Sequence, residues 1–265
     1  MPEKAINKVL VGLIFLQATA YAASDFSGKK EWVSALTEPL KQIPTGERLV
    51  YDVSWMGVPV GFGKLEVRGK ERIAGREAYP VVATAQTNKF LSRIYPVHDE
   101  VHSWIDAETL QSLQFGKKIS EGHYLAEEIV RYDASSGKGV QESAKNGSRK
   151  EFDISVPVHD VISAFYWARR QELSPGKSVR TTVNNGGKDY ELEVAVLRRE
   201  TKELRGRGVA DVLLVEPKTR LEGILDRRGR VWVHLKNDRS RTPLLITFKT
   251  PFGPVVGILK EDAGA

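Results

Sequence analysis

The amino-acid sequence predicts a mainly β protein, an antiparallel open barrel or sandwich of about a dozen strands with one prominent helix at about residues 160–172. Three observations carry that expectation. Apolar and polar residues alternate at period two, as where Leu49, Tyr51, Val53 and Trp55 oppose Val50, Asp52 and Ser54. Clusters of Gly, Asn, Asp and Pro punctuate the alternating segments. Only one stretch, DVISAFYWARR from Asp160, sets apolar residues convincingly at helical spacing.

The opening residues read as an export leader. Lys4 and Lys8 accompany the apolar run Val9 to Leu16, and Ala20-Tyr21-Ala22 offers small residues to a signal peptidase, so residues 1–22 are expected to be cleaved after Ala22. That run is far shorter than the roughly 20 residues of a membrane span. The mature protein is therefore expected to be periplasmic, with no transmembrane segment. Residues 23–46 read as an N-terminal linker with a helical stretch around 31–42, ending at Pro44-Thr45-Gly46. Residues 47–260 read as a single β-rich domain.

Within that domain the first strand starts near Glu47, and the glycines and proline of Met56 to Gly61 turn the chain. Strands are expected at Phe62 to Arg68, Ala78 to Gln86 and Val97 to Ile105, with Asn88 to Tyr95 as neither helix nor strand. Leu110 to Ile119 and His123 to Tyr132 form a hairpin about Gly122, and turn signals at 135–139 and 146–147 flank a further strand pair. In the helix, Asp160 can cap the N-terminus, Val161, Ile162, Phe165 and Ala168 share a face, and Arg169 and Arg170 suit the C-terminal dipole. Ser174-Pro175-Gly176 ends it. Asn184 to Gly187 is a strong hairpin signal between Ser178 to Val183 and Lys188 to Leu197. Strands at Val209 to Glu216, Leu221 to Leu225, Val231 to Leu235, Leu244 to Thr250 and Val255 to Leu259 complete the chain.

Composition narrows the function classes. The chain has 265 residues, no cysteine and a net charge of +6. Disulfides, thiolate metal sites and lipidation at a cysteine are thereby excluded. The positive balance suits anionic headgroups, and equally an ordinary soluble surface. Nucleic acid is not an expected partner, because the basic residues lack interleaved aromatics and the compartment holds none.

Glu47-Arg48-Leu49-Val50-Tyr51 with Gly57 and Gly61, the helix DVISAFYWARR, and the closing run VWVHLKNDRSRTPLLITFKTPFGPVVGIL with Trp232, Asp238, Pro243 and Gly253 resemble the DUF3108 family of exported bacterial proteins. The likeness extends over nearly all of Glu47 to Leu259. It implies an exported, mostly antiparallel β protein and supplies no catalytic residue. A looser similarity is to periplasmic lipoprotein carriers of the LolA type, an analogy of fold alone.

Among candidate sites, His98, Glu100 and His102 share one strand face and could present imidazole and carboxylate to a metal ion, although a solvated polar face is the favoured account of them. No GxSxG elbow is present, and His159, Asp160 and Ser163 are better read as a helix start than as a triad. No catalytic residue and no cofactor is implied. Asp238 with Arg239 or Arg241 is expected to pair within a loop, and Arg239 and Arg241 could alternatively receive an anion. Arg227, Arg228 and Arg230 form another basic turn. Trp55, Trp104, Trp167 and Trp232 are expected to face inward, as core or as the wall of an apolar cavity under the helix. The leading expectation is a non-enzymatic envelope protein holding a lipid, glycolipid or acyl chain against those aromatics, with its headgroup near Arg239 and Arg241. An assembly or scaffold protein with an envelope protein partner is the alternative. A hydrolase or metal enzyme around His98 and His102 is a lesser one.

Overall fold

A computed structural model describes residues 42–219 and 229–264. The leader and its cleavage point, nearly all of the linker, the strand expected at Leu221 to Leu225, and Arg227 and Arg228 lie outside these described residues. No helix among the described residues is long and apolar enough to cross a membrane.

The strands are β1 (Arg48–Trp55), β2 (Val58–Val67), β3 (Glu71–Ile73), β4 (Arg76–Thr87), β5 (His98–Asp106), β6 (Ser112–Glu121), β7 (Tyr124–Asp133), β8 (Lys138–Ser143) and β9 (Arg149–Asp153). Helix α1 (Val161–Arg169) follows, then β10 (Ser178–Asn185), β11 (Lys188–Leu204), β12 (Gly208–Thr219), β13 (Arg230–Lys236), β14 (Pro243–Thr250) and β15 (Gly253–Ala263). They form one antiparallel sheet in the order β10-β11-β12-β13-β14-β15-β1-β2-β4-β5-β6-β7-β8-β9, with β3 paired on β4. The first and last strands are neighbours in the middle of the sheet, Tyr51 opposite Leu259 and Val53 opposite Gly257. The two edges, β9 and β10, are consecutive in the chain and joined through α1. A parallel bridge between His159 and Val183, with Asn184 N donating to His159 O at 2.7 Å, draws them near without closing the sheet into a barrel.

The alternation places the core as expected. Leu49, Tyr51 and Val53 are buried while Asp52 is exposed, and Val101, Ser103 and Ile105 point inward from β5 while His98, Glu100, His102 and Trp104 take the outer face. Several boundaries differ from expectation. Met56-Gly57 alone turns the chain, so β2 begins at Val58. Strand β11 runs past the expected end because a bulge slips one residue at Leu197, after which a polar, twisted ribbon continues against β12. The end of the linker is part of the fold: Ile43 is buried against Val81, Ile105 and Tyr166.

The helix is shorter than expected because both of its ends are pinned. Asp160 is the N-cap and accepts from Ile162 N at 2.7 Å and Ser163 N at 3.0 Å, while Ser163 Oγ closes a reciprocal capping box. Its other carboxylate oxygen accepts from Ser103 and Ser112, both at 2.6 Å. Burial raises the Asp160 pKa, and these four donors oppose the rise. At the far end Arg169, expected to serve only the helix dipole, is instead fully buried.

Candidate functional site

Two buried constructions and one cavity set the interior. The first is an ion pair. Arg169 donates to both oxygens of Glu47, from Nη1 at 2.8 Å and Nη2 at 2.6 Å, and neither side chain is exposed. Tyr166 Oη donates to the same carboxylate at 2.7 Å. The guanidinium also donates to the carbonyls of Ser240 and Arg241, at 3.0 and 3.1 Å, and lies over the Phe165 and Tyr166 rings. Burial acts to lower the Arg169 pKa, but the Glu47 carboxylate overrides it and the group stays charged. The cluster thus joins the helix end to the start of β1 and to the β13–β14 loop.

The second construction is an acid pair, Asp99 and Glu121, both buried at the inner face of β5 and β6. Burial, with the neighbouring Asp99 charge, pushes Glu121 up to about 8. Asp99 is also raised by burial, although Ser120 N donates to it at 2.9 Å and Glu121 hydrogen-bonds to it.

The cavity lies between α1 and the concave face of the sheet and measures about 250 Å³. Val161, Ala164, Phe165 and Ala168 form its floor on the helix. Val183, Leu192, Val194, Val215, Val233 and Leu235 form one wall. The other wall is built from Gly63, Ala83 and Ala85 beside Tyr51 and Val53. The register sets Gly63 opposite Ala85 and beside Tyr51, so small residues on neighbouring strands leave the space unfilled. Its lining reaches Val53, Gln86, Asn185, Thr219 and Val231, all close to strand ends at one end of the sheet. Both pins of the helix lie toward the opposite end, at the start of β1, the start of β6 and the β13–β14 loop. The helix forms the floor of this space, and the lining extends toward the strand ends that carry Gln86, Asn185 and Thr219.

The residues singled out in the sequence fall elsewhere. None of Trp55, Trp104, Trp167 and Trp232 lines the cavity. Trp104 is on the outer face, stacked on His102 at 5.6 Å between centroids and donating to Glu71. Trp232 is also on the outer face, under the Arg230 guanidinium at 4.9 Å. Trp55 sits at the rim and donates to Phe252 O at 3.0 Å, and Trp167 packs beside the His159 ring. The expectation of an inward, core position holds for Trp55 and Trp167, which pack against buried clusters, and fails for Trp104 and Trp232, which β5 and β13 present at the outward parity of the two-residue repeat. Arg239 and Arg241 lie in the β13–β14 loop, at the helix-pinned end and away from the rim. Arg241 Nη1 donates to Asn237 Oδ1 at 3.0 Å, and Asp238 pairs with Lys236 at 2.8 Å rather than with either arginine.

His98, Glu100 and His102 share the outer face of β5 as expected, where His102 pairs with Glu100. Among the described residues no three His, Asp or Glu side chains converge as a metal site. His159 is buried, and burial lowers its pKa to about 4, so it is neutral. Sequence reasoning missed Glu47, Arg169, Glu121 and the small-residue wall. Gly63, Ala83 and Ala85 carry side chains too small to mark an inward face in the sequence.

Residues 50–260 match the family described as a protein of unknown function, DUF3108. Nothing among the curated proteins matches. The fold is similar to that of a β-barrel-like protein of a domain of unknown function, DUF1849, from Brucella abortus, with a TM-score of 0.61 and 13% identity, covering 84% of this chain and 99% of that one. A putative exported protein with a YmcC-like fold from Bacteroides fragilis gives 0.32 and 11%, covering 85% and 97%. A hypothetical protein from Chlamydia trachomatis gives 0.31 and 10%, covering 83% and 87%. The matched span covers most of the polypeptide, including most of β1, the helix and most of the closing strands, so this chain belongs to the DUF3108 family.

Proposed function

We propose that this is an exported, non-enzymatic envelope protein that holds the hydrocarbon tail of an amphiphile between its helix and the concave face of its sheet. The cavity is the observation that carries the reading. Its floor and both walls are almost wholly aliphatic and aromatic, and Arg169, the buried charge among its lining residues, is already engaged by Glu47. A mostly apolar space, with its polar lining residues Gln86, Asn185 and Thr219 near the strand ends, offers a ligand burial and dispersion rather than chemistry. At about 250 Å³ it falls just below the roughly 300–1,000 Å³ of small-molecule sites, so the ligand is a single acyl or alkyl chain rather than a whole diacyl lipid. The headgroup belongs at the rim, not at Arg239 and Arg241. The leader read from the sequence is what supports the envelope compartment.

The test combines native mass spectrometry of protein recovered from the periplasm with titration of a fluorescent fatty acid. Wild type should carry or bind the chain. Ala85→Leu, which projects an isobutyl group into the cavity, should weaken binding at least tenfold with unchanged circular dichroism. Unchanged binding in a folded Ala85→Leu protein would refute the reading, as would a wild type that neither carries nor binds lipid.

A further inference from the structure

All of the exposed large apolar side chains among the described residues, save Phe62, Val156, Leu197 and Val209, lie at the rim away from the helix pins. Their centre is three adjoining loops. The β1–β2 turn exposes Met56 and Val58, the β4–β5 loop exposes Phe90 and Ile94, and the β14–β15 turn exposes Phe252. Phe90 and Ile94 stand 72% and 69% exposed, a degree that ordinary folding does not favour for two large apolar groups four residues apart.

The loops are held in this pose. Asn88 Oδ1 accepts from Phe90 N at 3.1 Å and Leu91 N at 2.9 Å, while Asn88 Nδ2 donates to Pro59 O at 2.8 Å. Leu91 packs on the buried Val53–Val60–Val255 cluster, and Tyr95 is buried behind it. Trp55 Nε1 ties the first turn to the third through Phe252 O. The exposure is thus part of the fold.

Charge accompanies it. Across residues 56–60, 88–98 and 249–254 the only formal charges are Lys89, Arg93 and Lys249, all exposed, with no aspartate or glutamate. Apolar tips interleaved with cations match a bilayer interface, where side chains enter the acyl boundary and cations meet phosphates. A protein partner would require a flatter apolar centre and a polar rim.

We infer that this rim docks the protein onto a phospholipid bilayer bearing anionic headgroups, with Phe90, Ile94, Met56 and Phe252 inserting and Lys89, Arg93 and Lys249 on the phosphates. The inference goes beyond the tail-holding reading and does not need it, although it places the mouth of the cavity against the membrane.

The test is flotation with vesicles of equal parts phosphatidylglycerol and phosphatidylcholine, against pure phosphatidylcholine, using the protein as its host cell processes it. Wild type should float with the anionic vesicles and release as salt is raised. Lys89→Glu with Arg93→Glu should weaken binding by about fivefold or more per residue. Phe90→Ser with Ile94→Ser should weaken it at least tenfold, and both proteins should keep the wild-type circular dichroism because the changed side chains are exposed. Val209→Ser, which alters an equally exposed residue off the rim, should bind as wild type. Ala85→Leu should also float normally, which separates failure of the cavity reading from failure of this one. No flotation of wild type, equal flotation of Phe90→Ser/Ile94→Ser, or equal loss in Val209→Ser would overturn the inference. So would rim substitutions that abolish self-association in sedimentation velocity while vesicle binding is absent.

Discussion

Replacing Glu47 by Gln should destabilise the fold far more than its single-atom change implies. Glu47 accepts three hydrogen bonds, two from the Arg169 guanidinium and one from Tyr166, inside a cluster with no solvent contact. The amide is neutral and offers one acceptor oxygen, so the guanidinium would keep its charge with only the Ser240 and Arg241 carbonyls and the two rings as compensation. Arginine cannot shed its proton to relieve this. Breaking a buried pair from one side costs about 3–5 kcal/mol, a third or more of a typical domain's stability. With a urea slope of about 1–3 kcal/mol per molar, the midpoint should fall by about 1 M or more. Replacing both partners, Glu47→Met with Arg169→Met, removes the stranded charge and should recover most of the loss, giving a large coupling energy in the double-mutant cycle. Equilibrium urea unfolding followed by tryptophan fluorescence measures wild type, Glu47→Gln, Glu47→Met, Arg169→Met and the double variant. A Glu47→Gln protein within about 1 kcal/mol of wild type, or a double variant as unstable as the single, would refute the assignment of a net charge interaction here.

Two other perturbations follow from the buried carboxylates. Asp160→Ala removes the helix cap and strands the Ser103 and Ser112 hydroxyls, so it should cost about 3 kcal/mol in the same unfolding assay, whereas Asp160→Asn, which retains an acceptor for the cap, should cost less. Glu121 holds its proton to about pH 8 in the fold and releases it near 4.5 when unfolded, so the folded state binds the extra proton between those values. Stability should therefore fall as pH rises from about 4.5 through 8, and Glu121→Gln should flatten that slope and melt higher than wild type above pH 8. A steeper or unchanged slope in thermal melts from pH 5 to 9 would contradict the pairing with Asp99.

Period-two alternation, turn residues and one helical segment were sufficient by themselves to determine the antiparallel fold class and most strand positions in the described residues. These are local properties: the side-chain repeat of a strand and the φ preferences of Gly and Asn act within a few residues. The N-cap at Asp160 was legible for the same reason. What the tertiary structure decided was which inward face met which. Glu47 and Arg169 are far apart in sequence, and each alone reads as an ordinary surface charge; only the curl of the sheet over the helix makes them a buried pair. The tryptophans read as core because they are large and apolar, yet parity within β5 and β13 sends Trp104 and Trp232 outward, and no composition rule contains parity. The cavity is hidden from sequence by the same logic, since it exists where Gly63, Ala83 and Ala85 align across two strands, and alignment between strands is set by register. The rim, likewise, brings Met56, Phe90 and Phe252 together only because β15 returns to pair with β1 at the centre of the sheet.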